Sequence, residues 1–336
     1  QFGNTNTSYS PSGTFAFSGP GAAPDGTTPT YPSSAAITSA FSGGVATVSI
    51  TLVKAEYVSL DISNGTLHST GNTAWDADLV VGSAAAATDL KVTSSTATPT
   101  AGTPFTVKIT ALDTYGNTAT GYNPAGKTFT FTGPGTAPDT ITTPAYTGNA
   151  AIIAAFSQGV TLDLWTTLYK AEAVDLEISD GTINSTGDPL YGADLTVASA
   201  KAVDLAITTS SFNVTAGVAA GDVILEARDA YGNVDTNNTG TVNLTSTSGT
   251  MKFYQDVAAA GADNYTGTPS VLQGTNSVTS RSLVAGTIGF GFRDVTASNP
   301  THTITATLAS QTSLQTSDTG AGDTPDAGGF NAGTIS

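Results

Sequence analysis

Two histidines, His68 and His302, are all the imidazole this 336-residue chain carries, and it contains no cysteine. Disulfides and thiolate metal sites are excluded together, and catalytic sets built on histidine have almost nothing to draw on. Carboxylates are more plentiful. Asp76 with Asp78, and Asp188 with Asp194, have the residue type of a glycosidase pair. Strand alternation, however, sets Asp76 and Asp78 on the same side of one edge, both solvated. Asp113 and Asp229 offer hard oxygen to calcium, as do Asp318, Asp323 and Asp326, but no loop has EF-hand spacing. Capping of a turn accounts for the first two without a metal. Lys54 and Lys170 each stand two residues before a glutamate. That spacing suits an isopeptide crosslink, but a solvated strand-edge pair explains it with less. Asn-x-Ser/Thr sequons occur at Asn6, Asn64, Asn184, Asn213, Asn237, Asn243 and Asn264; in a host that glycosylates they imply a glycan coat. No catalytic residue is assigned, no cofactor beyond a calcium candidate is called for, and the reading is non-enzymatic.

The acidic turns belong to the clearest structural element in the chain. In Thr100–Asn117, Phe105, Val107, Ile109 and Ala111 point one way while Thr106, Lys108 and Thr110 point the other. Such alternation marks a strand buried on one face. It stops at Asp113-Thr-Tyr-Gly-Asn117, where Gly and Asn accept positive φ and the aspartate closes the turn on the backbone. The same stretch returns at Thr215–Asn233, with Asp229-Ala-Tyr-Gly-Asn233 as its turn.

Internal comparison shows why. Gly3–Gly21 aligns with Gly116–Gly135, Lys54-Ala-Glu56 with Lys170-Ala-Glu172, and Trp75–Leu79 with Tyr191–Leu195. The repeat is about 115 residues long, the size of a β-sandwich and well beyond solenoid units. Expected units are residues 1–86, 87–199 and a divergent 200–310, followed by a Gly/Asp-rich arm over 311–336. In the second unit, strands are expected at Thr88–Thr93, Phe105–Leu112, Thr128–Thr132, Ala150–Phe156, Val160–Leu168, Ala173–Ile178 and Ala193–Val197, with no convincing amphipathic helix. In the third, they are expected at Val203–Thr208, Val223–Ala227, Val242–Leu244, Phe290–Arg293 and Thr303–Leu308. The first unit has no counterpart of Thr88–Leu112. A sandwich without its opening pair of strands leaves backbone groups unpaired and core side chains bare.

Composition narrows the partners. Net charge is −16 with ten basic residues, which cannot form the positive footprint a phosphate backbone requires. No apolar run reaches the ~18–20 residues of a membrane span. Charged residues make up 11% of the chain, and Ser, Thr, Gly and Ala fill the gap, the balance of a secreted or surface β-protein. Neither nucleic acid nor a membrane span is expected.

A strand ending in D-x-Y-G-N, followed by T-F-T-F or T-V-N-L, resembles the bacterial Ig-like repeats of invasin- and intimin-type surface proteins. The resemblance covers roughly Gly3–Ser310. It implies an all-β fold of tandem Ig-like β-sandwich domains at a cell surface, the first incomplete at its N-terminal strands. The expected role is a filament or lattice subunit whose partners are neighbouring copies of itself. The acceptor groove is expected at Phe15, Phe17, Phe41, Val45, Val48, Ile50, Leu60 and Ile62, and the donor arm around Leu314, Phe330 and Ile335. Two alternatives stand beside it. One is a piece of a longer adhesin or S-layer protein; the other is an accessory module of a secreted enzyme that holds sugar on Trp75, Trp165 and Tyr191.

Overall fold

The computed structural model describes residues 3–71, 74–84, 86–186, 188–208, 219–255, 279–293 and 304–308. The donor arm, Asn213, Asn264, His302, Asp318, Asp323 and Asp326 lie outside them. The described chain is almost entirely antiparallel β-structure, and its second repeat shows the complete pattern.

The first repeat contributes β1 (Ala16–Ser18), α1 (Ser34–Ala40), β2 (Glu56–Ser63) and β3 (Ala77–Val81). The second contributes β4 (Asp89–Ser94), β5 (Phe105–Leu112), β6 (Thr130–Thr132), β7 (Ala145–Tyr146), α2 (Asn149–Ala155), β8 (Phe156–Ser157), β9 (Val160–Thr161), β10 (Leu164–Thr167), β11 (Ala173–Ser179) and β12 (Ala193–Thr196). One sheet of the second repeat runs β7-β10-β5-β9-β8 with β4 also paired to β5; the other runs β12-β11-β6. Between them Leu90, Val92, Phe105, Val107, Ile109, Ala111, Leu164, Leu176, Ile178 and Leu195 form one buried core. The alternation of β5 is fully realised: Phe105, Val107, Ile109 and Ala111 are buried, whereas Lys108 is exposed.

The third repeat builds its own two sheets. Its strands are β13 (Asp204–Ile207), β14 (Ala219–Arg228), β15 (Thr241–Ser246), β16 (Lys252–Gln255), β17 (Thr279–Ser282), β18 (Thr287–Arg293) and β19 (Ile304–Leu308). They order as β13-β14-β18-β16 and β17-β15-β19 around Leu205, Leu225, Val242, Phe253, Phe290 and Ile304.

Two expectations need correction. The stretch Ala150–Phe156 is not a strand: Asn149–Ala155 is a helix, and Ser34–Ala40 is its counterpart. Alanine favours helix most strongly, and Ser33 caps α1 by accepting from the Ala36 N–H. The first helical residue of each also ties back to the neighbouring strand. Asn149 Oδ1 accepts from the Phe129 N–H, and Ser34 Oγ accepts from the Phe15 N–H. The expected strand Val160–Leu168 is broken into β9 and β10 at Leu162-Asp163. Strands β16 and β17 were not legible in the divergent third repeat.

The first repeat is unlike the other two. Its described residues form a single three-stranded sheet, β1-β2-β3. Isolated bridges Thr30↔Thr51 and Ser42↔Val45 stand where the second repeat has Ala145↔Thr167 and Ser157↔Val160. Residues 46–50 have no strand, because the element that β9 and β10 pair with, β5, has no counterpart here. Among its described residues the buried apolar side chains are Ala23, Ile37 and Val53.

Candidate interaction sites: the open sandwich and the repeat junctions

The side chains that should form a core in the first repeat line an open groove instead. Tyr9, Phe15, Phe41, Val45, Ile62 and Trp75 are among those facing a concavity of about 510 Å3. Of the expected acceptor residues, Phe15, Phe41, Val45 and Ile62 line this groove. Phe17, Val48, Ile50 and Leu60 do not; they are half-buried, and Phe17 stacks on Tyr31 at 5.2 Å. The contrast with the second repeat is direct. Phe129, Leu164, Leu176 and Ile178 are buried, whereas their counterparts Phe15, Val48, Leu60 and Ile62 are not. Val45 is 56% exposed and Trp75 64%. An apolar wall of this kind facing solvent is a costly arrangement unless something covers it.

The D-x-Y-G-N turn has a role beyond ending a strand. Asn117 Oδ1 accepts from the Ala55 N–H at 2.8 Å, and its Nδ2 donates to the Val53 carbonyl at 2.9 Å. Asn233 does the same one repeat later, accepting from the Ala171 N–H at 2.8 Å and donating to the Tyr169 carbonyl at 2.7 Å. The tyrosine carbonyls join in: Asp25 N–H donates to Tyr115 and Asp139 N–H to Tyr231. The aspartates hold the linkers, Asp113 accepting from Ala84 and Asp229 from Ala200. Each turn therefore grips the Lys-Ala-Glu corner of the repeat before it, and the two junctions are built alike.

This geometry removes Asp113 and Asp229 as calcium candidates. Asp113 accepts from the N–H groups of Ala84, Tyr115 and Asn117 and from the Asn117 amide, so both oxygens face donors that a cation would have to displace. Burial raises its pKa, but those donors outweigh it and hold the carboxyl below the usual carboxylate range. Asp229 is likewise ringed by the N–H groups of Ala200, Tyr231 and Asn233. Among the described residues no cluster of three or more acidic, histidine or cysteine side chains has metal-binding geometry.

Other candidates resolve individually. Asp76 and Asp78 are not both solvated: Asp78 is exposed, but Asp76 is half-buried with Oδ1 lacking a hydrogen-bond partner. Asp188 caps its own turn through the Leu190 N–H, while Asp194 lies opposite Asp175 on β11. Lys54 and Lys170 pair with Glu56 and Glu172 at 2.8 and 2.7 Å, and each glutamate also accepts from a glycine N–H, Gly21 or Gly135. Among the sequons, Asn6, Asn184 and Asn237 are exposed and Asn243 is half-buried. The Asn64 amide is buried and donates to Tyr9 Oη and the Ser12 carbonyl, so it is not free to carry a glycan in this fold. Trp75, Trp165 and Tyr191 sit apart in function: Trp75 lines the groove, Trp165 projects from β10, and Tyr191 approaches Gly116 at the first junction. The ring of exposed His68 lies 3.2 Å from the Thr70 carbonyl.

No family model matches the sequence, and neither does any curated protein. Several solved structures share features of the fold. The Escherichia coli adhesin FdeC is 16% identical, with 90% of this chain and 83% of that one covered and a TM-score of 0.32. Invasin, described as a bacterial integrin-binding protein, is 10% identical over 80% of this chain and 46% of its own, with a TM-score of 0.31. Domains 4 and 5 of the S-layer protein SbsC are 17% identical over 67% and 94%, with a TM-score of 0.24. The second and third repeats are tandem two-sheet β-sandwiches, and the first is a sheet left open. Among the described residues no helix is long and apolar enough to cross a membrane.

Proposed function

We propose that the protein is a structural component of a cell surface, a stiff row of Ig-like sandwiches rather than an enzyme. In this reading residues 3–84 receive the strands they lack from a neighbouring copy, so that molecules join head to tail into a filament or lattice. The observation that carries it is the groove of the first repeat, where Phe15, Phe41, Val45 and Ile62 stand open beside a segment with no strand to pair with. Added β-strands satisfy both needs at once, since main-chain hydrogen bonds supply affinity and alternate side chains fill the pockets. Acceptor and donor on different surfaces make a head-to-tail contact that need not close into a ring.

A second reading has one observation in its favour. Gly3 has φ +74°, close to +77° at Gly116 and +83° at Gly232. The φ of Gly3 thus lies in the same left-handed region as the glycines of the D-x-Y-G-N turns, as it would if the completing strands belonged to the same polypeptide, in a longer adhesin or S-layer protein. Negative-stain microscopy and sedimentation of the purified chain separate the two. Concentration-dependent linear polymers support completion by a neighbour. Discrete monomers at every concentration rule out the filament and leave the second reading.

A further inference from the structure

The second repeat displays what a completed groove looks like, and its opening segment does three separate jobs. First, β5 pairs with β10 and β9, and the Ala111 N–H donates to the Gly159 carbonyl. Second, β4 reaches the opposite sheet: Leu90 N–H donates to the Asn184 carbonyl at 3.1 Å and Val92 N–H to the Tyr191 carbonyl at 2.7 Å. Third, the connection between them runs parallel to the end of β12. There Thr196 N–H donates to Ala97, Ala198 N–H to Pro99, and Ala101 N–H to Ala198. Leu90, Val92, Ala101, Phe105, Val107, Ile109 and Ala111 are all buried as a result.

Repeat alignment transfers each of these lines to the first repeat. The partners of β5 become residues 44–52, the carbonyls that β4 caps become those of His68 and Trp75, and the edge beyond β12 becomes Val80–Gly82. Val80 on that edge is 81% exposed, and its cross-strand neighbour Tyr57 is 73% exposed. One extended strand can follow only the first line. Filling the groove while leaving the other two open would still abandon backbone groups and apolar side chains to solvent.

From this we infer that the first repeat is completed by a two-strand unit of its own repeat type, not by a single donated strand. The unit has the pattern of Asp89–Leu112: L-x-V, then a short parallel crossing, then F-x-V-x-I-x-A. The third repeat shows the tolerance of that pattern, with Leu205 and Ile207 in β13 and Leu225 and Ala227 in β14. The arm over 311–336 does not meet it, since Leu314, Phe330 and Ile335 are its only sizeable apolar residues. This inference rests on the reading that the first repeat is completed from outside, but not on which molecule supplies the strands.

The test adds synthetic peptides to the full chain and reads amide hydrogen exchange at residues 44–52, 67–69 and 74–82. A peptide of residues 88–113 should bind one to one and slow exchange about tenfold or more in all three segments. A peptide of residues 104–113 should slow the first segment alone, and the arm peptide 311–336 none. The inference is overturned if the short peptide or the arm protects all three, or if the long peptide protects none of them in monomeric chain. Where the chain is already polymeric, the same exchange map decides. Joint protection of the three segments supports a two-strand occupant, and protection of 44–52 alone overturns it. Monomers that bind the long peptide would sink the filament while sparing this inference; polymers protected only at 44–52 would do the reverse.

Discussion

Asn117 and Asn233 carry the most information per atom in this chain. Each amide makes one accepted and one donated bond to backbone groups 62 and 64 residues earlier, and both are buried. Alanine there strands two backbone groups, at about 2 kcal/mol per site, while the aspartate oxygens keep their N–H donors. Denaturant unfolding of Asn117→Ala and Asn233→Ala should show similar losses, since the two sites are equivalent. A second residue-scale effect comes from Asp175, whose pKa burial pushes up to about 6, with help from hydrogen bonding and repulsion by Glu177 and then from the charge of Asp194. The folded carboxyl therefore keeps its proton where the unfolded one, near 3.8, has lost it. Its contribution falls as pH rises from about 4 to about 6 and stays lost above that. Asp175→Asn is expected to raise Tm at pH 7.5 by a few degrees and to leave it unchanged at pH 4, as calorimetry at the two pH values would show.

At the scale of elements, the corner where β11 turns is solved in two ways. In the second repeat the fully buried Asp180 accepts from Tyr122 Oη at 2.7 Å and sits 3.2 Å from Lys127 Nζ. Burial raises its pKa, but the N–H groups of Ile183 and Thr182 with Tyr122 and Lys127 hold it below the usual range. In the first repeat Asn64 takes that place, Tyr9 accepts instead of donating, and the lysine is missing from Ser12-Gly-Thr14. Charge and counter-charge have gone together. Lys127→Ala should accordingly cost about 2 kcal/mol by leaving a buried carboxylate short of its cation. The double variant Lys127→Ala/Asp180→Asn should recover most of that loss in urea titrations. Non-additivity near zero would refute the pairing. The elements themselves were unevenly legible. β5 could be read to the residue because one face is wet and the other dry along its length. α2 could not, because seven residues with a single buried side chain, Ile152, show no helical period, and adjacent isoleucines imitate a strand.

At the scale of the whole molecule, the repeat announced a tandem all-β fold whose first unit is incomplete. It did not announce that D-x-Y-G-N joins one repeat to the next. The residues involved read as a local turn, and their second set of partners lies too far along the chain for any short-range pattern to register. The latch predicts a shape property. Small-angle scattering of the native chain should indicate an extended particle with fixed joints, and Asn117→Ala/Asn233→Ala should broaden the distance distribution through bending at both junctions. A native chain as flexible as the double variant would deny the latch its role. The groove was likewise foreseeable as a missing pair of strands; Phe15, Phe41, Val45 and Ile62 line its concavity, whereas Phe17, Val48, Ile50 and Leu60 stand half-buried beside it. Sequence alternation reports which side chains face inward, not which of them another part of the sheet already covers.

The sameness of the two junctions bears on how such a protein can change over generations. A gene segment one repeat long ends where the next begins, and the turn at its front fits the Lys-Ala-Glu corner at the back of any sibling that keeps one. Unequal crossing-over can then lengthen or shorten the molecule by whole sandwiches without remaking either contact surface. The third repeat carries no Lys-Ala-Glu in its sequence and so offers a following turn no such corner.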